Sequence, residues 1–415
     1  MRSTARGDAS RRPPVLVSWF SREWEIGVAS SSQVARSLAV CVLLAACVTA
    51  DPKPTITPVP PAASPNTTVT PTVNVTDAPP LGGAWQAASG LGDAEIFDVT
   101  PGSTGWVAVG TTCDDCAAGA WFSADGIEWS GGAVPNGDVG SSWISSVATD
   151  ESSWIAAGGR LEPGGGSAAV ARALVWRSDE AQTWSLADTI RLGPCRAGCP
   201  SVGVVAAGAN GAVLSWVQTI NPERSSVYWS PDGRDWIPVD RAALGQDPGA
   251  GSYMYPTAAL VLDDGRFVVV AAVAVWTSPD GRNWSQHASL TPNPTWLDAA
   301  TDGRRVLVVE QGCEDCATDV WTSADGRTGW QRAPTALPID SAHVTYAGDM
   351  FVLAGTMSGR GLRIFTSRDG MAWTEIDHDL SLRNCRVSDL AGSSDRVVLA
   401  AWDHCKPAIW VSRVS

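Results

Sequence analysis

Beyond Leu81 the chain is written in short apolar runs separated by Gly, Asp, Ser and Asn, and no stretch sustains a helical period. Brief runs rich in Val, Ile, Trp and Phe, bounded by turn formers, predict β-strands. The first unit shows the pattern. Ile96 to Thr100, Trp106 to Gly110 and Ala120 to Ser123 read as three strands, and Trp129 opens a fourth after an acidic turn. Equivalents of the second strand are predicted at 154–158, 212–217, 267–272, 306–310, 351–355 and 397–401. Equivalents of the third fall at 174–177, 227–230, 275–278, 320–323 and 364–367.

The acidic turn recurs six times. Its copies are Ser123-Ala124-Asp125-Gly126-Ile127-Glu128-Trp129, a degenerate Ser178 to Trp184, Ser230 to Trp236, Ser278 to Trp284, Ser323 to Trp330 with one extra residue, and Ser367 to Trp373. The tryptophans that end them lie 55, 52, 48, 46 and 43 residues apart, a period that indicates a propeller or a solenoid. In each turn aspartate can accept backbone N–H groups across the hairpin, glycine can take a left-handed conformation, and tryptophan can cover the apolar seam between sheets.

The two ends of the repeat decide the count. Ala408 to Ser412 is a third strand with no fourth behind it, while Gly83-Ala84-Trp85-Gln86 stands before the first unit like a fourth strand without its first three. Pairing them closes a ring and removes two exposed sheet edges. The expected fold is therefore all-β: a seven-bladed β-propeller of four-stranded antiparallel blades, with an N-terminal strand completing the last blade. It would occupy residues 81–415 as one domain.

These turns resemble the BNR or Asp-box β-propellers, a superfamily that includes sialidases, some glucanases, sortilin-type receptors and photosystem-assembly factors. The resemblance covers nearly everything after Leu81. It implies that the Asp-box turn joins third and fourth strands on the face away from the usual ligand site, so Asp125, Asp232, Asp280, Asp325 and Asp369 read as structural. It does not imply one activity, because the scaffold hosts many. The sialidase members carry an arginine triad, a Phe-Arg-Ile-Pro-like segment and a tyrosine nucleophile. No such segment is present, and of the four tyrosines, Tyr228, Tyr253, Tyr255 and Tyr346, Tyr228 merely precedes an Asp-box.

Upstream, Ser37 to Ala46 is a ten-residue, largely apolar run after Arg36, too short to span a bilayer and matching a secretory h-region. Leu44-Ala45-Ala46-Cys47 resembles the lipobox of bacterial lipoproteins, which implies a lipidated Cys47, export, and a membrane anchor on the extracytoplasmic side. A start at Val28 or Val34 would give an n-region of ordinary length. Residues 1–46 thus read as an extension with a signal peptide, and 47–80 as a tether. Nine prolines and seven threonines between Asp51 and Pro80 preclude a core there and allow a reach of roughly 90 Å at about 3 Å per residue.

Charge narrows the partners. The formal net charge is −14, and the part before Cys47, with six arginines against three acids, leaves about −17 on the rest. With only Lys53 and Lys406 as lysines and no basic stripe, nucleic-acid binding is disfavoured. The head is expected to be monomeric, and no cofactor is expected.

Eight cysteines follow the anchor: Cys113 and Cys116, Cys195 and Cys199, Cys313 and Cys316, Cys385 and Cys405. An even number in an exported protein favours disulfides. Cys113 to Cys116 and Cys313 to Cys316 occupy the same loop of blades one and five. In blade seven Cys405 takes the second-cysteine position and Trp402 the first, with Cys385 nearby. The two C-x-x-C pairs also have a zinc-ligand spacing, but non-neighbouring blades would have to meet across the channel.

The loop face bearing these cysteines is where a ligand is expected. Innermost strands are expected to begin with Trp143, Trp296 and His343, Asp98, Asp298 and Asp389 align near the channel, and Tyr253 and Tyr255 lie in the long loop before blade four. With Trp402 they are the candidate contacts for a protein or glycan. The leading expectation is a surface-tethered binding or scaffold protein without catalysis. The alternative is a glycoside hydrolase using Asp98, Asp298 or Asp389 as its carboxyl pair. The histidines His287, His343, His378 and His404 form no ligand-spaced cluster.

Overall fold

The computed structural model describes residues 81–414 except for residue 83 and the segments 113–116, 136–141, 164–168, 196–202, 217–226, 241–243, 245–255, 272–273, 288–289, 291–295, 312–316, 358–360, 381, 383–384 and 404–405. The described residues form 28 strands in seven four-stranded antiparallel sheets, and no α-helix is found among them. From blade one to blade seven the innermost strands are Ala94–Gly102, Ser142–Thr149, Gly203–Gly208, Pro256–Val261, Trp296–Thr301, Asp340–Ala347 and Cys385–Gly392. Each lies against the next and the seventh against the first, so the ring is closed.

Closure follows the expected route. Gln86–Ala87 pairs antiparallel with the C-terminal strand Lys406–Arg413, with Gln86 opposite Val411 and Ala87 opposite Trp410. Leu81 bridges to Val414, and Gly82 both donates to the Arg413 carbonyl at 2.9 Å and accepts from the Ser412 hydroxyl at 2.6 Å. Leu81 and Trp85 are buried in one cluster with Leu362, Leu390 and Leu399, so this N-terminal segment of the propeller locks the last blade to the sixth. The pairing supplies a covalently distant outer strand to an edge that would otherwise be open.

The second strands carry the core. Phe267–Ala271 is buried throughout, because both faces of that sheet are covered by neighbouring blades. This is why these strands read as unbroken apolar runs instead of alternating. Each apolar cluster spans two adjacent blades. Ile155 and Ala157 of blade two, for example, pack with Leu214 and Trp216 of blade three. Trp176, Trp216 and Trp276 are fully buried, and truncating such a side chain costs about 3–5 kcal/mol.

The six turns behave as local machines. In blade one the Ser123 hydroxyl donates to Asp125 Oδ1 at 3.1 Å and accepts from Gly126 N–H at 2.9 Å. Asp125 Oδ1 also accepts the N–H groups of Ile127 and Glu128, and the Trp129 indole donates to the Gly126 carbonyl at 2.8 Å. Glycine is demanded here twice over. Gly281, at φ 73°, would place a Cβ 2.1 Å from Trp229 of the preceding blade. Arginines stitch these turns to the preceding blades: Arg396 donates to the Asp125 carbonyl, Arg266 to that of Asp325 at 2.9 Å and Arg305 to that of Arg368 at 3.1 Å.

Blade two departs from the sequence expectation. Its outer three strands, Trp154–Pro163, Ala169–Ser178 and Ser185–Cys195, run to 10, 10 and 11 residues and extend beyond the innermost strand. The sequence reading ended the first two early because Arg160, Glu162 and Arg172 break the apolar pattern. In the structure Glu162 pairs with Arg160 of its own strand at 2.5 Å and across the ladder with Arg172 at 2.6 Å, which lets charged residues continue the strands.

Candidate functional site: the channel and its mouth

The channel is built from one repeated backbone position. Residues immediately before Val99, Val147, Ala299, Val344 and Leu390 are Asp98, Ser146, Asp298, His343 and Asp389. They are opposite Val109, Ala157, Val309, Ala354 and Ala400 on the second strands. The same position in blades three and four holds Val204 and Ala258, so the polar groups occupy five consecutive blades, from five through seven to one and two.

Each aspartate on this tier bonds to the next blade's backbone. Asp98 Oδ2 accepts Val147 N–H at 2.7 Å, Asp389 Oδ2 accepts Val99 N–H at 2.6 Å, and Asp298 Oδ2 accepts Val344 N–H at 3.0 Å. Ser146 repeats the contact toward Val205 N–H at 3.2 Å. Such charge-assisted bonds are among the stronger ones available to a backbone donor.

The same groups also meet one another. The Asp389 carboxyl and the Ser146 hydroxyl are the side-chain neighbours of the Asp98 carboxyl. His343 Nδ1 lies 3.4 Å from Asp298 Oδ2 and 3.9 Å from Asp389 Oδ1. Burial pushes Asp98 upward from the ordinary carboxyl range against its hydrogen bonds. Burial, and then the charges of Asp98 and Asp298, push Asp389 well above it. The Asp298 and Asp389 side chains keep 19% and 17% exposure, so the channel is open enough to exchange protons with water.

A second tier stands two residues further along the second strands, at the mouth. Opposite Thr111, Gly159, Gln311, Thr356 and Trp402 lie Glu95, Trp143, Trp296, Asp340 and Arg386. Residues two apart on a regular strand share a sheet face, so the two tiers are stacked. Burial raises the Glu95 carboxyl to about 7. Asp340 is tied to blade five, its carboxylate accepting from Gln311 Nε2 at 3.2 Å. Trp143 and Trp402 are half-buried and Arg386 is exposed, while the indole N–H of Trp402 has no partner among the described residues.

The structure thus brings Asp98, Asp298, Asp389 and His343 together and places Trp143 and Trp402 on the tier above them, where of Trp296 only the strand backbone is described. The innermost strand of blade six begins at Asp340, so His343 sits at the aspartate level and not at the strand's start. Sequence reasoning missed Ser146, Glu95, Asp340 and Arg386. In blades one, two, six and seven a β-bulge inserts a residue between the tiers, giving a spacing of three as in Glu95 and Asp98; blade five has no bulge and a spacing of two. The available signal was a glycine on the second strand: a Cβ on Gly110 or Gly158 would fall 1.8 or 1.9 Å from the Glu95 or Trp143 carbonyl.

Tyr253, Tyr255, Cys47 and the cysteines Cys113, Cys116, Cys199, Cys313, Cys316 and Cys405 lie outside the described residues, and of Cys195 and Cys385 the structure describes only strand backbone. Among the described residues no group of three or more His, Cys, Asp or Glu is arranged to hold a metal ion. None of the helices that could cross a membrane is present among them either.

No family model and no curated protein matches the chain. Among solved structures it is similar to YCF48 bound to D1 peptide, at 17% identity and a TM-score of 0.51, covering 82% of this chain and 98% of that one. The likeness is one of fold. A GH74 xyloglucanase from Xanthomonas campestris (16%, TM-score 0.49) and a Trypanosoma rangeli sialidase complexed with the inhibitor DANA (11%, TM-score 0.43) overlap over 79% and 77% of the chain. The propeller spans 55% of each of those two longer proteins.

Proposed function

We propose that this propeller is a non-catalytic binding or scaffold module, exported and held at the membrane by a lipid on Cys47, that receives a polypeptide or glycan at its channel mouth. The observation that carries the reading is the use of Asp98, Asp298 and Asp389 as staples between blades, each holding a backbone N–H of its neighbour. A carboxylate committed to a backbone donor is a poor nucleophile and a poor base. The mouth above it offers half-buried indoles, Glu95 and Arg386, a mixture suited to stacking and hydrogen bonding. That YCF48, of the same fold, has been seen with a peptide agrees with this use of the scaffold.

One observation favours a second reading, a glycoside hydrolase: burial raises both the Asp98 and the Asp389 carboxyls above the ordinary range, the condition a general acid needs. The two separate in one experiment. The full chain and its Asp98→Asn and Asp298→Asn variants, each checked to be folded by a cooperative unfolding transition, are assayed against a polysaccharide panel and against peptide and glycan arrays. Ligand retention on an array with no hydrolysis is expected. Hydrolysis by the native chain that disappears in the variants overturns the binding-only reading.

A further inference from the structure

One backbone level recurs in all seven innermost strands, at Val99, Val147, Val205, Ala259, Ala299, Val344 and Leu390. Antiparallel pairs alternate between those that exchange ladder bonds and those that do not, and at this level the N–H turns away from its own sheet. Five of these amides donate to a side chain. Val99 donates to Asp389, Val147 to Asp98, Val205 to Ser146, Ala299 to the carboxyl of Asp298 beside it, and Val344 to the other oxygen of that carboxyl. Leu390 follows Asp389 as Ala299 follows Asp298. Ala259 has no such neighbour. Ala258 precedes it, Val204 stands at the aspartate position of the preceding blade, and its N–H has no acceptor among the described residues.

The joint between blades three and four leaves a second polar group over. Ser215, opposite Val204, is fully buried, and its hydroxyl has no partner among the described residues. It shares a sheet face with Val213, which packs against Phe267 and Val269 of blade four, so it is turned toward the same joint. Val204 and Ala258 are 8% and 7% exposed and offer only apolar surface. Blade four lies across the closed ring from blades seven and one, which carry the carboxyls of Asp389 and Asp98. The channel therefore presents a bare backbone donor on one wall and carboxyl groups on the other.

We propose that the Ala259 N–H anchors a ligand: a backbone carbonyl of a bound basic polypeptide takes the place that an acceptor side chain of the preceding blade holds at Val99, Val147, Val205 and Val344, and the donors of the same segment face Asp98, Asp298 and Asp389. This anchor rests on the reading that a ligand enters by the mouth, and narrows the ligand to a polypeptide. A peptide carbonyl only accepts, so beside Val204 and Ala258 it leaves nothing unpaired. A sugar hydroxyl would bring a donor with no acceptor there. The carboxyls across the channel call for donors, which peptide N–H groups and basic side chains supply. The net charge of −14 draws a positive segment and repels a negative one.

The test follows amide exchange and peptide binding in the full chain. Without ligand, the Ala259 amide is expected to exchange about tenfold or more faster than those of Val99, Val147 and Val344, and a lysine–glycine hexapeptide at saturation is expected to slow it to their level. An Ala259 amide already as protected as those three, as a bound water alone would make it, overturns the anchor. So does hexapeptide binding that leaves its exchange unchanged. Ala259→Pro removes the donor at a position outside the ladder, and Val204→Asp supplies a competing acceptor; each is expected to weaken hexapeptide binding about tenfold or more. Should Ala259→Pro not fold, Val204→Asp decides, and undiminished binding in it overturns the anchor. A trimer of N-acetylglucosamine bound in preference to the hexapeptide overturns the anchor and leaves the binding reading standing. A chain that retains neither peptides nor glycans overturns both.

Discussion

Asp389 in the last blade and Val99 in the first are joined by a 2.6 Å hydrogen bond, carboxylate to backbone N–H, across the point where the ring closes. The same bond recurs between Asp98 and Val147 and between Asp298 and Val344, so three of the seven inter-blade joints are pinned by an identical device. The aspartates that look most like catalytic residues in the sequence are thereby part of the assembly of the ring.

Removing this acceptor leaves a buried donor unpaired. Asp389→Ala is expected to destabilise the propeller by about 1–3 kcal/mol, read as a lower denaturant midpoint. The Val99 amide should lose exchange protection before the amides of the second strand do.

The closing strand gives a larger effect. Trp85 is 8% exposed and packs with Leu81 and the sixth and seventh blades. Trp85→Ala should cost about 3–5 kcal/mol in chemical denaturation. Deleting residues 81–88 should uncover the edge of Lys406–Arg413 and produce association detectable by light scattering.

The turns predict an asymmetry between two small residues. Gly281→Ala meets both a left-handed backbone and the Trp229 ring, and is expected to lower the melting temperature measurably. Ala181 already holds the equivalent position of the degenerate turn at φ 65° and still receives the Trp184 indole bond at 2.9 Å. Ala181→Gly relieves that strain and should be neutral or stabilising by up to about 1 kcal/mol. Calorimetry of the two variants checks both.

Acid acts on the turns with the opposite sign to the channel. Burial would raise Asp325, but the N–H groups of Thr328 and Arg327 outweigh it and hold the carboxyl at about 2. Asp125 is lowered first by the Ile127 N–H. Groups lowered on folding contribute stability above the ordinary carboxyl value near 3.9 and lose it as pH falls toward the folded value. Unfolding below about pH 4 should therefore be sharper in the native chain than in Asp325→Asn, as followed by tryptophan fluorescence.

Blade number, strand order and ring closure were legible in the residues themselves. Ser123, Asp125, Gly126 and Trp129 bond to one another within seven positions, and an interaction that short leaves its full imprint on local sequence. The unmatched Trp85 and Trp410 strands fixed the closure for the same reason: a missing edge is visible in the order of the pattern. The channel was legible only in part. Asp98, Asp298 and Asp389 could be aligned, but the partners they hold lie 49, 46 and 290 residues away. The mouth tier was hidden because bulges in four of the five contributing blades change its spacing. Sequence determined the shape through short-range turn chemistry and apolar period. Only the tertiary structure decided what the carboxylates do, because their protonation and bonding depend on neighbours that the ring, and not the chain order, brings together.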